Sequence, residues 1–163
     1  MAGQKTNVMR ILDQKKIRYA AHFYSSESHA FEGGIAAAKA LGQNPAQVFK
    51  TLVTVGGSGK YFVFVIPVEA ELDLKKAAAA AGVKSVAMLH LSELRSVTGY
   101  VRGGCSPVGM KKSFPTVFHS SALQFETIMV SAGKVGSQVE ADPRALAGLV
   151  GGTFADITCG EPL

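Results

Sequence analysis

Lys50 stands among apolar neighbours in the segment Val48-Phe49-Lys50-Thr51-Leu52. A lysine in such a run either snorkels to the surface or points into a cleft, and the segment by itself favours the outward reading. Turned inward, it is a cation at a pocket edge for a phosphate or a carbonyl oxygen. In an extended segment Thr51 faces the opposite side. The second candidate is Gly103-Gly104-Cys105-Ser106-Pro107-Val108-Gly109. Glycines around a Ser-Pro pair permit close backbone approach and aligned N–H groups, which suit a phosphate or a developing oxyanion. A purely structural turn is about as common a use for such a loop. The segment is neither a Walker A loop nor a G-x-G-x-x-G fingerprint. Proline after Ser106 also excludes a G-x-S-x-G elbow.

Cys105 needs a base to act as a nucleophile, and His22, His29, His90 and His119 are scattered without a catalytic spacing. A small apolar cysteine packed in a loop is the simpler reading. Cys105 and Cys159 form no C-x-x-C pair, and the histidines form no metal pattern, so neither metal nor cofactor is expected. Tyr24 and Phe31 flank a polar loop, as core or rim residues or as the wall of a pocket. Lys111 and Lys112 follow the glycine loop, and with Lys50, Arg102 and Lys134 they form one basic face if the fold brings them together. Separate, solvated charges are the default.

These residues need a scaffold. Val8, Ile11 and Leu12 follow the i, i+3, i+4 spacing of a helix over 7–16, capped by Thr6 or Asn7. A strand is expected over 17–24 and an Ala-rich helix over 34–41, with Gly42 in its left-handed C-terminal position. Phe49–Val55 and Lys60–Ile66, joined by a Gly-Gly-Ser-Gly turn, form the clearest hairpin. A helix from Asp73 to Ala81 stops at Gly82. A strand is read over 84–88 and a helix to Val97 capped by Ser92. The stretch from Thr98 to Pro115 has no periodicity and is long for a plain connection. Strands follow at 116–119, 126–130 and 138–140. Asp142-Pro143 opens a last helix that ends at Gly151, before a short strand over 154–157. Mixed strands and helices without a βαβ rhythm predict an α+β domain around a mixed sheet.

The chain has 163 residues, enough for one domain with its own core, and residues 1–163 are read as that single domain. Its 47% hydrophobic and 18% charged residues exclude a disordered chain. Seventeen basic against 12 acidic residues give a net charge of +5, which favours an anionic partner. No long Lys/Arg block is present, which argues against a basic-arm nucleic-acid binder. The N-terminal residues lack a signal-peptide pattern, and no apolar stretch approaches the ~18 residues of a membrane span. Cysteine usage fits a reduced, cytoplasmic protein, with one long-range disulfide left open.

Taken in order, QNPAQVFKTLV, LDLKK, TGYVRGGCSPVGMKK, PTVF and VSAGKVG resemble the YbaK/EbsC family from about residue 7 to residue 157. These are small trans-editing proteins that deacylate misacylated tRNA, chiefly Cys-tRNA(Pro). They are related to the editing domain of bacterial prolyl-tRNA synthetases. The lysine motif and the glycine loop are specific as a pair. The resemblance implies the YbaK/prolyl-tRNA synthetase-associated fold, a mixed, partly closed sheet with surrounding helices. It implies that Lys50 holds the 3′-terminal adenosine of tRNA, with Thr51 beside it. It implies a pocket with aromatic residues Tyr24 and Phe31, shaped around the ester by Gly103, Gly104, Ser106 and Pro107. Ser131 and Gly133 complete that pocket as the small residues of the S-x-G-K segment. Lys50, Gly103, Gly104 and Ser106 are the catalytic set on this reading. Gln138, also assigned to substrate binding, stands where cysteine-specific members often carry aspartate, and Val135 where a basic residue is common.

The resemblance further implies substrate-assisted cleavage, in which the cysteinyl thiol attacks its own ester and the protein orients and stabilises. The implied partners are the acceptor end of a mischarged tRNA and, as a docking partner, prolyl-tRNA synthetase, with no DNA and no membrane. Deacylation of Cys-tRNA(Cys) or of alanyl and other small aminoacyl groups, and non-catalytic tRNA binding, are the alternatives. A cell-surface role is the weakest, given the lack of a signal peptide or span.

Overall fold

A computed structural model of the chain describes residues 5–24 and 33–160. Phe31, His29 and most of the polar loop expected around them lie outside the described residues. The first helix, α1 (Asn7–Gln14), begins where Thr6 accepts a hydrogen bond from Met9 N–H, and it buries Val8, Met9 and Leu12. Strand β1 (Tyr19–Phe23) and helix α2 (Gly33–Ala40) follow. Gly42 takes φ +66°, the left-handed turn anticipated for it. A short 3-10 turn, Pro45–Gln47, is capped by Asn44 and leads into the hairpin.

The hairpin is β2 (Phe49–Gly56) and β3 (Tyr61–Pro67), in antiparallel register from Phe49 opposite Pro67 to Val55 opposite Tyr61. Asp73 accepts from Lys75 and Lys76 N–H and starts α3 (Leu74–Ala81), which Gly82 ends in left-handed geometry. Strand β4 (Val86–Met88) precedes α4 (Leu91–Thr98). Here the expected cap is corrected. His90 occupies the cap position without a side-chain bond, and Ser92 lies inside the first turn. Strand β5 (Thr116–His119), β6 (Ile128–Ser131) and β7 (Ser137–Ala141) lead to α5 (Pro143–Val150), capped by Asp142, and to β8 (Thr153–Ala155).

The strands form two sheets: β1-β7-β6, wholly antiparallel, and β4-β2-β3-β5-β8, in which β3–β5 and β5–β8 run parallel. The α+β class therefore holds, but the partly closed single sheet does not. Among the described residues one parallel bridge, Val48 to Met129, joins the two sheets, and no ladder closes them.

Strand β3 explains the layering. Val63 and Val65 face a large core with α1, β6, β7 and α5, while Phe62, Phe64 and Ile66 face a second core with Ala77 and Ala78 of α3. A strand buried on both faces needs a continuous apolar run, which is what Tyr61 to Val68 provides. The hairpin is thus held from both sides, and β2 is fixed at its edge.

Candidate active site

The edge of β2 borders a cleft of about 530 Å3. Lys50, Thr51, Leu52 and Val53 supply one side, and Arg102, Gly103 and Cys105 of the long loop supply another. Ile35, Val68, Met88, Leu89, Leu91 and Leu94 make the apolar remainder. Met88 and Leu91 are 45% and 58% exposed, so the outer lip is an apolar surface open to solvent.

Lys50 is half-buried and turned to the cleft, against the outward reading of its segment alone. Burial pulls its ammonium pKa below the ordinary lysine value, and the Glu71 carboxylate pushes the other way. Among the described residues, neither Lys50 nor Arg102 forms an ion pair. Two cations on one cleft, neither in an ion pair among the described residues, favour an anionic ligand. The other lysines of the expected basic face, Lys111, Lys112 and Lys134, do not line it.

Of the residues singled out in the sequence, the cleft gathers Lys50, Thr51, Arg102, Gly103 and Cys105. Ser106 is fully buried, and its hydroxyl accepts from Val108 N–H at 3.2 Å, which shapes the loop instead of facing the cleft. Gly104 is buried against the next turn: a Cβ there would lie 3.1 Å from Val135 N and 3.3 Å from the Lys134 carbonyl carbon. Pro107 lines a separate pocket of about 180 Å3 with Ile11, Phe114 and Leu149. Ser131 accepts from Gly133 N–H at 3.1 Å. Gln138 is 5% exposed, and its carbonyl oxygen accepts from the Gln43 amide at 2.9 Å. Tyr24 is tied by its N–H to the Gly136 carbonyl and does not line the cleft.

These residues are nevertheless connected. Tyr100, which sequence reasoning passed over, donates its hydroxyl to the Val108 carbonyl. Its ring lies where a Cβ on Gly133 would come within 3.1 Å. Burial pushes the phenol up to about 12, so it stays a donor at any physiological pH. The glycine loop and the Ser131–Gly136 turn therefore form one packed support behind Gly103. The apolar wall from Met88 to Leu94 was missed as well; its only signal was the apolar spacing of α4.

Among the described residues that line the cleft there is no activated nucleophile. Burial raises the Cys105 thiol to about 12, with a weak opposing bond to Thr98, so the thiolate is scarce near neutral pH. Among the described residues no histidine lines the cleft. His22 bonds Glu140 at 2.8 Å, and buried His119 accepts from Ile157 N–H at 3.2 Å. Among the described residues no group of His, Cys, Asp or Glu is arranged to hold a metal, and no helix is long and apolar enough to cross a membrane.

Comparison with known proteins places this geometry. Residues 34–149 match the model of the aminoacyl-tRNA editing domain. The chain is 50% identical to EbsC of Enterococcus faecalis, named as a candidate Cys-tRNA(Pro)/Cys-tRNA(Cys) deacylase, across 97% of this chain and 96% of that one. A solved structure described as a candidate trans-editing enzyme for prolyl-tRNA synthetase superposes with a TM-score of 0.78 at 26% identity, covering 96% of this chain and all of its own. The protein APE2540 shares the fold, with a TM-score of 0.83 at 22% identity over 94% of this chain and 99% of that one. Full-length similarity and the matched domain lead to one conclusion: the chain belongs to the aminoacyl-tRNA editing domain family, enzymes that cleave the ester between an amino acid and its tRNA.

Proposed function

We propose that this protein deacylates Cys-tRNA(Pro), and secondarily Cys-tRNA(Cys), in the cytoplasm, with the cysteinyl thiol as the attacking group. The observation that carries the reading is the pairing, among the described residues, of a half-buried Lys50 without an ion-pair partner and a cleft lining without an activated nucleophile. Lys50 and Arg102 hold the phosphate of the terminal nucleotide, and the apolar lip at Met88 and Leu91 receives its base. The cleft volume far exceeds a cysteinyl group and accommodates an aminoacyl-nucleoside.

The reaction then needs little from side chains. The substrate sulfur bonds to the ester carbonyl carbon, and the carbon–oxygen bond to the ribose breaks. The thiol proton ends on the ribose oxygen, leaving free tRNA and a cyclic thiolactone that water opens to cysteine. Orientation of an intramolecular attack is worth about 7–11 kcal/mol in favourable cases. Proline and cysteine differ so little in size that a synthetase pocket separates them by only ~1–3 kcal/mol, which makes a second, destructive sieve useful. Prolyl-tRNA synthetase is the docking partner that this substrate calls for.

The test is a deacylation panel of Cys-, Ser- and Ala-charged tRNA(Pro). Rapid loss of cysteine with slow loss of serine and alanine is expected. Equal rates on all three would remove the thiol from the mechanism, and faster alanine release would make the protein an alanine editor.

A further inference from the structure

Among the described residues, strand β2 has an edge covered at both ends and open in the middle. Gly56 N–H donates to the Lys60 carbonyl, and Val68 N–H to the Val48 carbonyl, each at 2.8 Å. Hydrogen-bonded pairs alternate along an antiparallel ladder. The even-numbered residues of β2 therefore spend their peptide groups on β3, while Phe49, Thr51, Val53 and Val55 turn theirs to the other edge. On that edge β6 meets the chain at Val48, through its bridge to Met129. Further along, Leu89 N–H donates to the Val53 carbonyl at 3.1 Å, and β4 pairs with Thr54 to Gly56. The same register would set Leu91 opposite Thr51, but at Leu91 the chain has already turned into α4. Thr51 N–H and C=O are left without a ladder partner among the described residues, and Thr51 lines the cleft.

One residue with both peptide groups free at a strand edge is a matched donor and acceptor. An aminoacyl ester carries the complement: ammonium donors and a carbonyl oxygen on either side of a single α-carbon. We propose that the main chain of Thr51 holds the aminoacyl group as if it were one residue of an added antiparallel strand, its C=O accepting from the α-ammonium and its N–H donating to the ester carbonyl oxygen. This rests on the deacylase reading above and adds the ester-binding group to it. As the sulfur adds, negative charge grows on that oxygen, and the Thr51 N–H bond strengthens with it. Main-chain recognition is indifferent to the side chain. Selectivity among amino acids then falls on the cleft walls and on the side chain's own reactivity.

The test removes one atom. In the full-length protein, Thr51 is replaced by its α-hydroxy acid analogue through nonsense suppression, which exchanges the N–H for an ester oxygen. The same exchange at Leu52, whose N–H is in the ladder, is the control. On Cys-tRNA(Pro) the Thr51 analogue is expected to lower kcat/KM about 100-fold. Its melting temperature should fall less than that of the Leu52 analogue. A second measurement needs no variant: 3-mercaptopropanoyl-tRNA(Pro), which keeps thiol and ester but lacks the amine, should react more slowly than Cys-tRNA(Pro) with the wild type. Unchanged kcat/KM in the Thr51 analogue, or equal rates with and without the amine, overturns the assignment while leaving the deacylase reading intact. A wild type inactive on Cys-, Ser- and Ala-tRNA(Pro) overturns both.

Discussion

At Lys50 two effects oppose each other. Burial lowers the ammonium pKa, whereas a bound phosphate raises it again by direct charge attraction. Binding an anion at alkaline pH therefore draws a proton onto Lys50. Affinity for the acceptor end should be full while Lys50 is charged and fall as pH rises through its lowered value, earlier than for an ordinary lysine. Binding titrations of a CCA-ending RNA from neutral to alkaline pH read this directly, and Lys50→Arg should move the fall to higher pH. Cys105 makes the converse case. With its thiol raised to about 12, it should alkylate with iodoacetamide far more slowly at pH 8 than exposed Cys159. Cys105→Ala should still deacylate if, as proposed, the attacking thiol is the substrate's; a folded but inactive Cys105→Ala would contradict this.

The elements show what local sequence can specify. The Asp73 cap, the Asp142-Pro143 helix start and the glycines at 42, 82 and 151 were legible because each acts within one turn of chain. The hairpin was legible because β3 is apolar on both faces. The place of Ser106 was not, since the same hydroxyl serves a turn or a substrate equally well, and its bond to Val108 shows only in three dimensions. The packed support behind Gly103 was also invisible, because Tyr100, Gly104 and Gly133 meet only in three dimensions. That support makes a prediction. Gly133 has φ +97° and the Tyr100 ring at 3.1 Å from a notional Cβ, so Gly133→Ala combines backbone strain with a clash and should cost about 1–3 kcal/mol of stability. Denaturant unfolding measures it, and an unchanged midpoint would show that the turn yields freely.

For the whole molecule, the net charge of +5 suggested an anion without saying which. Among the described residues the cleft is lined by two cations, Lys50 and Arg102, beside an apolar lip. Two contacts to a single-stranded acceptor end correspond to a log–log salt slope of roughly −1 to −2, shallow for a nucleic-acid binder. A steep slope in binding titrations across salt would place much more of the surface on the RNA. Such a weak, local grip suits the proposed docking on prolyl-tRNA synthetase. The cleft draws on β2, α2, the β4–α4 segment and the 102–105 loop, so its shape was beyond any single motif.

The central claim is that this cleft orients a misacylated tRNA so that its own thiol leaves with the amino acid. Single-turnover deacylation of Cys-tRNA(Pro) by wild type and by Lys50→Ala tests it most directly, with melting curves of both proteins in parallel. The account predicts fast release by the wild type and a loss of about 100-fold or more in a folded Lys50→Ala. A folded Lys50→Ala that releases cysteine at the wild-type rate would contradict it.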